Sequence, residues 1–181
     1  VFTPTPSMNA GTASIAVSSG DYQDAAGNNG SAGGTPSLTF DTLAPTISNI
    51  ALSSSTGILN TYLNEGDTAN VSVTFNEVVN LNVAGGSPTV ALLVGSSTVQ
   101  ATYVSGAGSN TLVFTTTIAA GQNDADGIAI ALNALSLNGA VLLDAAGNSA
   151  STSSTAVTSN SAYMVDTLAP SVTLAFNVAS L

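Results

Sequence analysis

The heptapeptide Asn-Val-Ser-Val-Thr-Phe-Asn at residues 70–76 alternates polar and apolar side chains with a period of two. Successive side chains of a β-strand point to opposite faces, so this pattern predicts a strand with one buried and one solvated face. The stretch Thr111–Ile118 is interpreted in the same way. Small and β-branched residues dominate the rest of the chain, and frequent Gly and Asn mark turns, so the sequence predicts an all-β protein.

Short predicted strands recur with turns between them at fairly even spacing, which indicates a β-sandwich of immunoglobulin type. The segment from Glu77 to Pro88 is expected to be a connection, and the Ala-rich stretch at 129–135 could form a helical turn instead of a strand. The strands predicted for the central region are Thr46–Ser53, Asn70–Asn76, Thr89–Val94, Thr98–Val104, Thr111–Ile118, Ile128–Ala131, Ala140–Leu143 and Ala162–Val165.

Two short motifs each occur twice. Asp-Thr-Leu-Ala-Pro occupies 41–45 and 166–170, and Asp-Ala-Ala-Gly-Asn occupies 24–28 and 144–148. Repetition in the same order predicts a segment of a tandem array. Residues 1–40 are interpreted as the C-terminal part of one module, 41–165 as a complete module, and 166–181 as a linker followed by the first strand of the next module. Proline makes each linker stiff. The strands predicted for the two outer parts are Val1–Thr5, Ser14–Ser18, Ser37–Phe40 and Ser171–Leu181.

The 181 residues contain ten acidic side chains and no Lys, Arg, His or Cys, which gives a net charge of −10. Without a histidine base, a lysine or a cysteine nucleophile, we expect no enzymatic activity. A nucleic-acid binder needs cations, and zinc or copper sites usually need His or Cys, so those classes are disfavoured. The remaining ligand groups are carboxylates, amides, hydroxyls and backbone carbonyls, which suit calcium.

If the loops alternate between the two ends of a sandwich, most acidic residues gather where modules meet. Like charges without compensation repel one another, and a divalent cation at each junction would remove that cost. We therefore predict calcium ligands at both ends. At the end nearest the first linker they are Asp41, Glu77, Asp144 and Asn148, and at the other end Glu65, Asp67, Asn123, Asp124, Asp126 and Asp166; Asp24 and Asn28 are the counterparts in the preceding module.

Each of these motifs also has an interpretation without metal. Asp-Ala-Ala-Gly-Asn is a good turn sequence, because Asp accepts backbone N–H bonds while Gly and Asn tolerate positive φ. The stretch Asn123–Gly127 resembles the start of a calcium loop but lacks the later Glu of an EF-hand and its flanking helices. Glu77 could be a solvated residue at a strand end, and each linker Asp could cap a turn before proline. The sequence alone leaves these alternatives open.

A series of motifs resembles the bacterial immunoglobulin-like repeats of giant secreted surface adhesins, which include the biofilm-associated and RTX-type adhesins. In that family the repeats form long extenders outside the cell, often rigidified by calcium between modules. The resemblance therefore implies a structural role at the bacterial cell surface, with neighbouring repeats as partners. The motifs that carry it, besides the two repeated ones, are Phe75–Glu77, Ala101–Gly106, Asn110–Phe114, Gly121–Ile128 and Leu135–Gly139.

Two other functions are compatible with the sequence. The chain could be a filament or surface-layer subunit that assembles with like chains through lateral contacts. It could also be a module that binds a polysaccharide or a host surface, which would favour a patch of exposed aromatic residues. No segment is long and apolar enough to predict insertion into a membrane.

Overall fold

The computed structural model describes residues 2–174, and in that range the chain consists of β-strands and turns without an α-helix. The predicted all-β class is therefore confirmed. A single 3₁₀ turn, Ser161–Tyr163, precedes the last of these strands. The strands are β1 (Gly11–Ala13), β2 (Ala16–Val17), β3 (Gly33–Gly34), β4 (Leu38–Phe40), β5 (Ile47–Thr56), β6 (Tyr62–Leu63), β7 (Thr68–Asn82), β8 (Thr89–Val94), β9 (Ser97–Ser105), β10 (Ser109–Thr117), β11 (Asn123–Asp124), β12 (Ala129–Ser136), β13 (Val141–Leu143) and β14 (Met164–Asp166).

The largest sheet is antiparallel and has the strand order β12–β8–β9–β10–β7, with β5 also paired to β7. Both β5 and β10 pair with the first half of β7, so they lie on opposite sides of it. At fifteen residues, β7 is long enough to continue beyond these partners, and its second half pairs with β13. The small sheet β11–β14–β6 forms separately.

The core lies between the inner face of the large sheet and the small sheet. Along β7, Val71, Val73 and Phe75 are at most 1% exposed, while the residues between them are more accessible. Leu63 of β6 and Val165 of β14 belong to the same buried cluster. Each fully buried side chain of this kind contributes about 1.5–3 kcal/mol. This arrangement is consistent with a β-sandwich.

The N-terminal segment, residues 2–40, is organised differently. It holds two small antiparallel pairs, β1–β4 and β2–β3, and the buried apolar side chains of the described chain all lie after it. The ring of Phe40 covers Gly11, where an added Cβ would meet ring atoms at 2.4 Å. Phe2 packs edge-to-face on Phe40 with ring centroids 5.4 Å apart. Aromatic packing on a glycine therefore replaces a core in this segment.

The prediction that the strand ends at Asn76 and a connection begins at Glu77 is wrong. β7 continues to Asn82, because its alternation of inward and outward residues continues through Val79 and Leu81. Glu77 occupies an inward position in this alternation, between Phe75 and Val79.

Other predicted boundaries also differ. A helical turn at 129–135 is not formed, because β12 runs through this stretch with a register shift against β8 and Asn133 at φ 51°. The predicted turn 54–69 contains the end of β5, all of β6 and the start of β7, and the predicted loop 119–127 contains β11. Residues 2–5 and 171–174 form no strand. The rest of the terminal predictions, Val1 and residues 175–181, lie outside the described residues.

Candidate metal centre

Three carboxylates from three separate parts of the chain converge at one end of the large sheet. Asp41 follows β4, Glu77 lies within β7, and Asp144 follows β13. One oxygen of each carboxylate lies within 4.8 Å of the others. Among the described residues this is the one group of three potential metal-ligating side chains at such distances.

The pairing of β13 with β7 explains why two of these residues meet. The antiparallel register places Leu143 opposite Asn80. Continuing that register by one residue brings Asp144 towards Val79, two residues from Glu77 and on the same face of the strand.

Glu77 is the least compensated member of the group. Its Oε1 atom is buried and has no hydrogen-bond partner. Burial raises the pKa of Glu77, and the negative charges of Asp41 and Asp144 raise it further. A carboxylate at a core-facing position without a donor is unfavourable unless a proton or a cation neutralises it.

Asp144 is held by the turn that it opens and is only 5% exposed. Its Oδ1 accepts hydrogen bonds from the backbone N–H groups of Ala146 and Asn148, both at 2.8 Å. The side-chain amide of Asn148 donates to Oδ2 at 2.7 Å. Burial works to raise the pKa of Asp144, but these hydrogen bonds outweigh it and the pKa lies below its usual value. Asp144 therefore stays ionised beside Glu77.

The linker Asp41–Pro45 is anchored to the same turn. Asn148 Nδ2 lies 3.3 Å from the carbonyl oxygens of both Asp41 and Leu43. The Asp41 carboxylate accepts a hydrogen bond from the backbone N–H of Leu43 at 2.9 Å. Pro45 is buried, and its carbonyl accepts from the N–H of Ser151 at 2.8 Å. These hydrogen bonds fix the chain in place just before β5 begins.

Sequence reasoning missed a second anchor, the threonine that follows each linker aspartate. Thr42 Oγ1 accepts from the N–H of Met8 at 3.0 Å and donates to the carbonyl of Thr5 at 2.7 Å. Thr167 Oγ1 likewise accepts from the N–H of Gly121 and donates to the carbonyl of Gln122, both at 3.0 Å. The signal was present in the sequence, because threonine occupies this position in both linker copies.

The first copy of the turn, Asp24–Asn28, repeats the same hydrogen bonds on an exposed surface. Asp24 Oδ1 accepts from the N–H groups of Ala26 and Asn28 at 2.9 Å, and Asn28 Nδ2 donates to Oδ2 at 2.8 Å. The side-chain bond from Asn28, followed by the backbone bonds, lowers the pKa of Asp24. Within the described residues no acidic partners gather around it.

At the opposite end, Glu65, Asp67 and Asp166 line one open depression of about 520 Å³. They do not approach one another as closely as the first three carboxylates do. Asp67 Oδ2 accepts a hydrogen bond from the N–H of Asn64 at 2.7 Å and closes a local turn. These three predicted ligands thus share one surface but lie further apart than Asp41, Glu77 and Asp144 do.

The three predicted ligands of the calcium loop, Asn123, Asp124 and Asp126, each accept hydrogen bonds from other parts of the chain. Asp124 is 4% exposed and accepts from the N–H groups of Gly95 at 2.7 Å and Gly127 at 2.9 Å. Asp126 accepts from Ser159 Oγ at 2.8 Å, and this bond is the main cause of its lowered pKa. Asn123 pairs with Asp166 across β11 and β14, and its Oδ1 accepts from the N–H of Thr167.

The donor set at Asp41, Glu77 and Asp144 suits a hard cation. Two unit charges about 4 Å apart repel by about 1 kcal/mol in bulk water and by about 4 kcal/mol near a protein surface. The sequence has no Lys, Arg or His that could offset such repulsion. The buried, unpartnered Glu77 Oε1 is the atom that a divalent cation would satisfy.

No protein-family model, curated protein or solved structure matches this chain. Within residues 2–174, the structure has no helix with the length and hydropathy needed to cross a bilayer.

Proposed function

We propose that this chain is a structural segment of a tandem array of immunoglobulin-like β-sandwich modules, in which calcium bound at the junction between modules stiffens the connection. One observation carries the proposal. Three carboxylates, contributed by the linker, by β7 and by the turn after β13, lie within 4.8 Å of one another in a chain that has no cationic side chain.

The position of the group gives the cation a mechanical role. Asp41 belongs to the segment between the N-terminal part of the chain and the large domain, while Glu77 and Asp144 belong to the large domain. A cation shared among them would link the connecting segment to that domain through β7 and through the turn after β13. The hydrogen bonds from Asn148 and Ser151 already hold the linker, so the cation adds to an ordered connection.

Calcium is the cation that this chemistry favours. The site offers oxygen ligands only, and calcium accepts carboxylates and carbonyls in flexible geometry. Extracellular modules bind calcium with dissociation constants on the order of 10⁻⁴–10⁻³ M, and we expect this range here. An extender at a bacterial cell surface, without enzymatic activity, is the role that combines the repeated motifs, the acidic composition and the stiffened linker.

Isothermal titration of calcium into chelator-treated protein tests the proposal, with two matched variants. Asp41→Asn removes one charge from the three-carboxylate group and should weaken calcium binding by at least about 10-fold. Asp166→Asn makes the same change in the second linker copy and should leave that binding unchanged. Absence of calcium binding by the unmodified chain, or equal weakening by both variants, would contradict the proposal.

Stiffening is a separate readout. Small-angle X-ray scattering of the same proteins, with calcium and with chelator, should show a narrower distribution of maximum dimensions when calcium is bound. The Asp41→Asn variant should show the broader distribution under both conditions. A scattering curve of the unmodified chain that does not respond to saturating calcium would remove the mechanical role, even if the ion binds.

A further inference from the structure

The N-terminal segment, residues 2–40, repeats the strand register of the last part of the large domain. Phe40 directly precedes the first linker copy and faces Gly11 across β4 and β1. Val165 directly precedes the second linker copy and faces Asp124 across β14 and β11. Both pairs are antiparallel, so Gly11 and Asp124 occupy equivalent places in the two parts of the chain.

Further counterparts follow from this alignment. Counting on by four and by six residues gives two pairs, Ile15 with Ile128 and Val17 with Ile130. The next backbone pairing agrees with the alignment. Val17 pairs antiparallel with Gly33 of β3. Ile130 pairs antiparallel with Val157, which follows β13 in the large domain.

A third pair of counterparts lies before these strands. The tripeptide Val-Phe-Thr occurs at 1–3 and again at 113–115, inside β10. Phe2 lies nine residues before Gly11. Phe114 lies ten residues before Asp124, which is nearly the same separation. Residues 2–40 therefore correspond to the part of the large domain from residue 114 to residue 165.

The counterparts differ in burial. Phe114, Ile128 and Ile130 belong to the core and are at most 1% exposed. The exposed fractions in the N-terminal segment are 48% for Phe2, 65% for Ile15 and 39% for Val17. Phe2 and Ile15 also line a cleft of about 270 Å³. A contiguous exposed apolar face of this kind marks a contact surface.

The large domain shows what covers the equivalent face. Ile130 of β12 faces Leu92 in the antiparallel pairing with β8. Val165 of β14 faces Leu63 in the parallel pairing with β6. Both covering strands lie within residues 46–112. In the N-terminal segment, β2 pairs with β3 alone and β4 with β1 alone among the described strands, so the two equivalent edges are open.

We propose that the apolar face of residues 2–40 is covered by a stretch of the same polypeptide on the N-terminal side of Val1, built like residues 46–112. A strand like β8 pairs antiparallel with β2, and a strand like β6 pairs in parallel with β4. The covering stretch runs directly into Phe2, as β10 runs into Phe114. A repeat that cannot bury its apolar face alone is completed by its neighbour in the chain. This inference rests on the tandem array of the proposed function and needs no calcium.

Two counterparts indicate that the covering stretch is related to residues 46–112 without being identical. Asp124 accepts a hydrogen bond from the N–H of Gly95 between β8 and β9. Gly11 has no side chain for this role, and the ring of Phe40 occupies the space beside it. The hairpin of the covering stretch must therefore be held by other contacts.

Thiol labelling tests the inference, because the chain has no cysteine and a single introduced one reports its own surroundings. The test compares the chain with an extended chain, in which a copy of residues 46–112 is joined directly before Val1. Val17→Cys should react at least about 10-fold more slowly in the extended chain, where the thiol is covered. Thr12→Cys is the matched control, since Thr12 and its counterpart Ala125 are both exposed, and it should react equally in both chains. All measurements are made in chelator, so a failure of calcium binding would leave this result unaffected.

A second extended chain allows for the two differing counterparts by carrying Gly11→Asp and Phe40→Val. Selective slowing of Val17→Cys in either extended chain supports the inference. Slowing in the second alone also shows that Gly11 and Phe40 adapt the segment to a different covering sequence. Equal slowing at both thiols, or rapid labelling of Val17→Cys in both extended chains, would overturn the inference.

Discussion

The two copies of Asp-Thr-Leu-Ala-Pro have the same local structure and different surroundings. In each copy the aspartate accepts a 2.9 Å hydrogen bond from the backbone N–H two residues later, Leu43 or Leu168. Yet Pro45 is buried and Pro170 is exposed. Local sequence therefore determines the turn. Whether the aspartate joins a charged cluster depends on the strands and turns that pack against it.

The two copies of Asp-Ala-Ala-Gly-Asn repeat this lesson. Their internal hydrogen bonds agree within 0.1 Å between the matching atoms of Asp24 and Asp144. Asp144, however, is buried next to Glu77, whereas Asp24 is exposed. The motif is thus a turn in both places, and only the second copy adds a carboxylate to the candidate metal centre.

The largest effect should come from removing the buried aspartate of this pair. Asp144→Ala deletes the acceptor of three hydrogen bonds and leaves their donors without a partner, which should cost about 2 kcal/mol in chelator. For a chain of this size that lowers Tm by roughly 4–8 °C. Asp24→Ala removes the same three bonds where water can replace them, so its loss should be smaller. Thermal unfolding followed by circular dichroism measures both.

Calcium should separate the two variants further. Asp24→Ala should keep the rise in Tm that calcium gives the unmodified chain through mass action, and Asp144→Ala should lose it. If both variants respond to calcium as the unmodified chain does, Asp144 is a turn residue only and the comparison between the two copies loses its functional meaning.

The fold class and many strand positions were accessible from the sequence because they depend on local periodicity. β8 begins and ends at the predicted residues, since Thr89–Val94 lies between clear turn signals. A charged residue at position 77 predicts a strand end at Asn76, but β7 continues through Glu77 to Asn82. The inward positions Phe75, Val79 and Leu81 continue on either side of Glu77. A charge within an unbroken alternation indicated a special site, not a strand end.

The candidate site was predictable only in part. The expected alternation of loops between two ends of a sandwich predicts that Asp41 and the turn at Asp144 lie at the same end, but Glu77 joins them from an inward position within β7 and not from a loop. That Glu65, Asp67 and Asp166 stay further apart depends on side-chain directions within short turns, which periodicity does not encode. The buried position of Asp124 likewise depends on two backbone N–H donors. Gly95 is distant in sequence, and Gly127 is brought close by a local turn.

A smaller effect should follow from removing the linker anchor. Asn148→Ala deletes the donor to the carbonyl oxygens of Asp41 and Leu43 as well as the bond to Asp144, and should cost about 1–2 kcal/mol. Asn28→Ala deletes only the equivalent bond to Asp24 and should cost less. Hydrogen exchange of the amides in residues 41–46 should increase in the first variant alone. Equal exchange in both variants would show that Asn148 does not hold the linker.

The smallest effect is a gain in stability on mild acidification, which Glu77 in the three-carboxylate group should produce. Burial and the charges of Asp41 and Asp144 raise the pKa of Glu77 in the folded chain. A carboxyl whose pKa is higher when folded takes up its proton preferentially in the folded state. In chelator, the free energy of unfolding should therefore increase as pH falls from neutral towards the ordinary range of Glu, and decrease as pH rises through that window. Urea unfolding at a series of pH values measures this.

Two controls distinguish this dependence from the other carboxylates. Glu77→Gln cannot titrate, so it should lose the gain in stability on mild acidification. It should keep the loss at lower pH, where Asp144, whose pKa is lowered, becomes protonated and its contribution disappears. Saturating calcium should reverse the first trend in the unmodified chain, because protons then compete with the ion for Glu77. If Glu77→Gln has the same pH profile as the unmodified chain, the Glu77 carboxylate does not sense the two aspartates, and the cluster is then three neighbouring charges without a shared function.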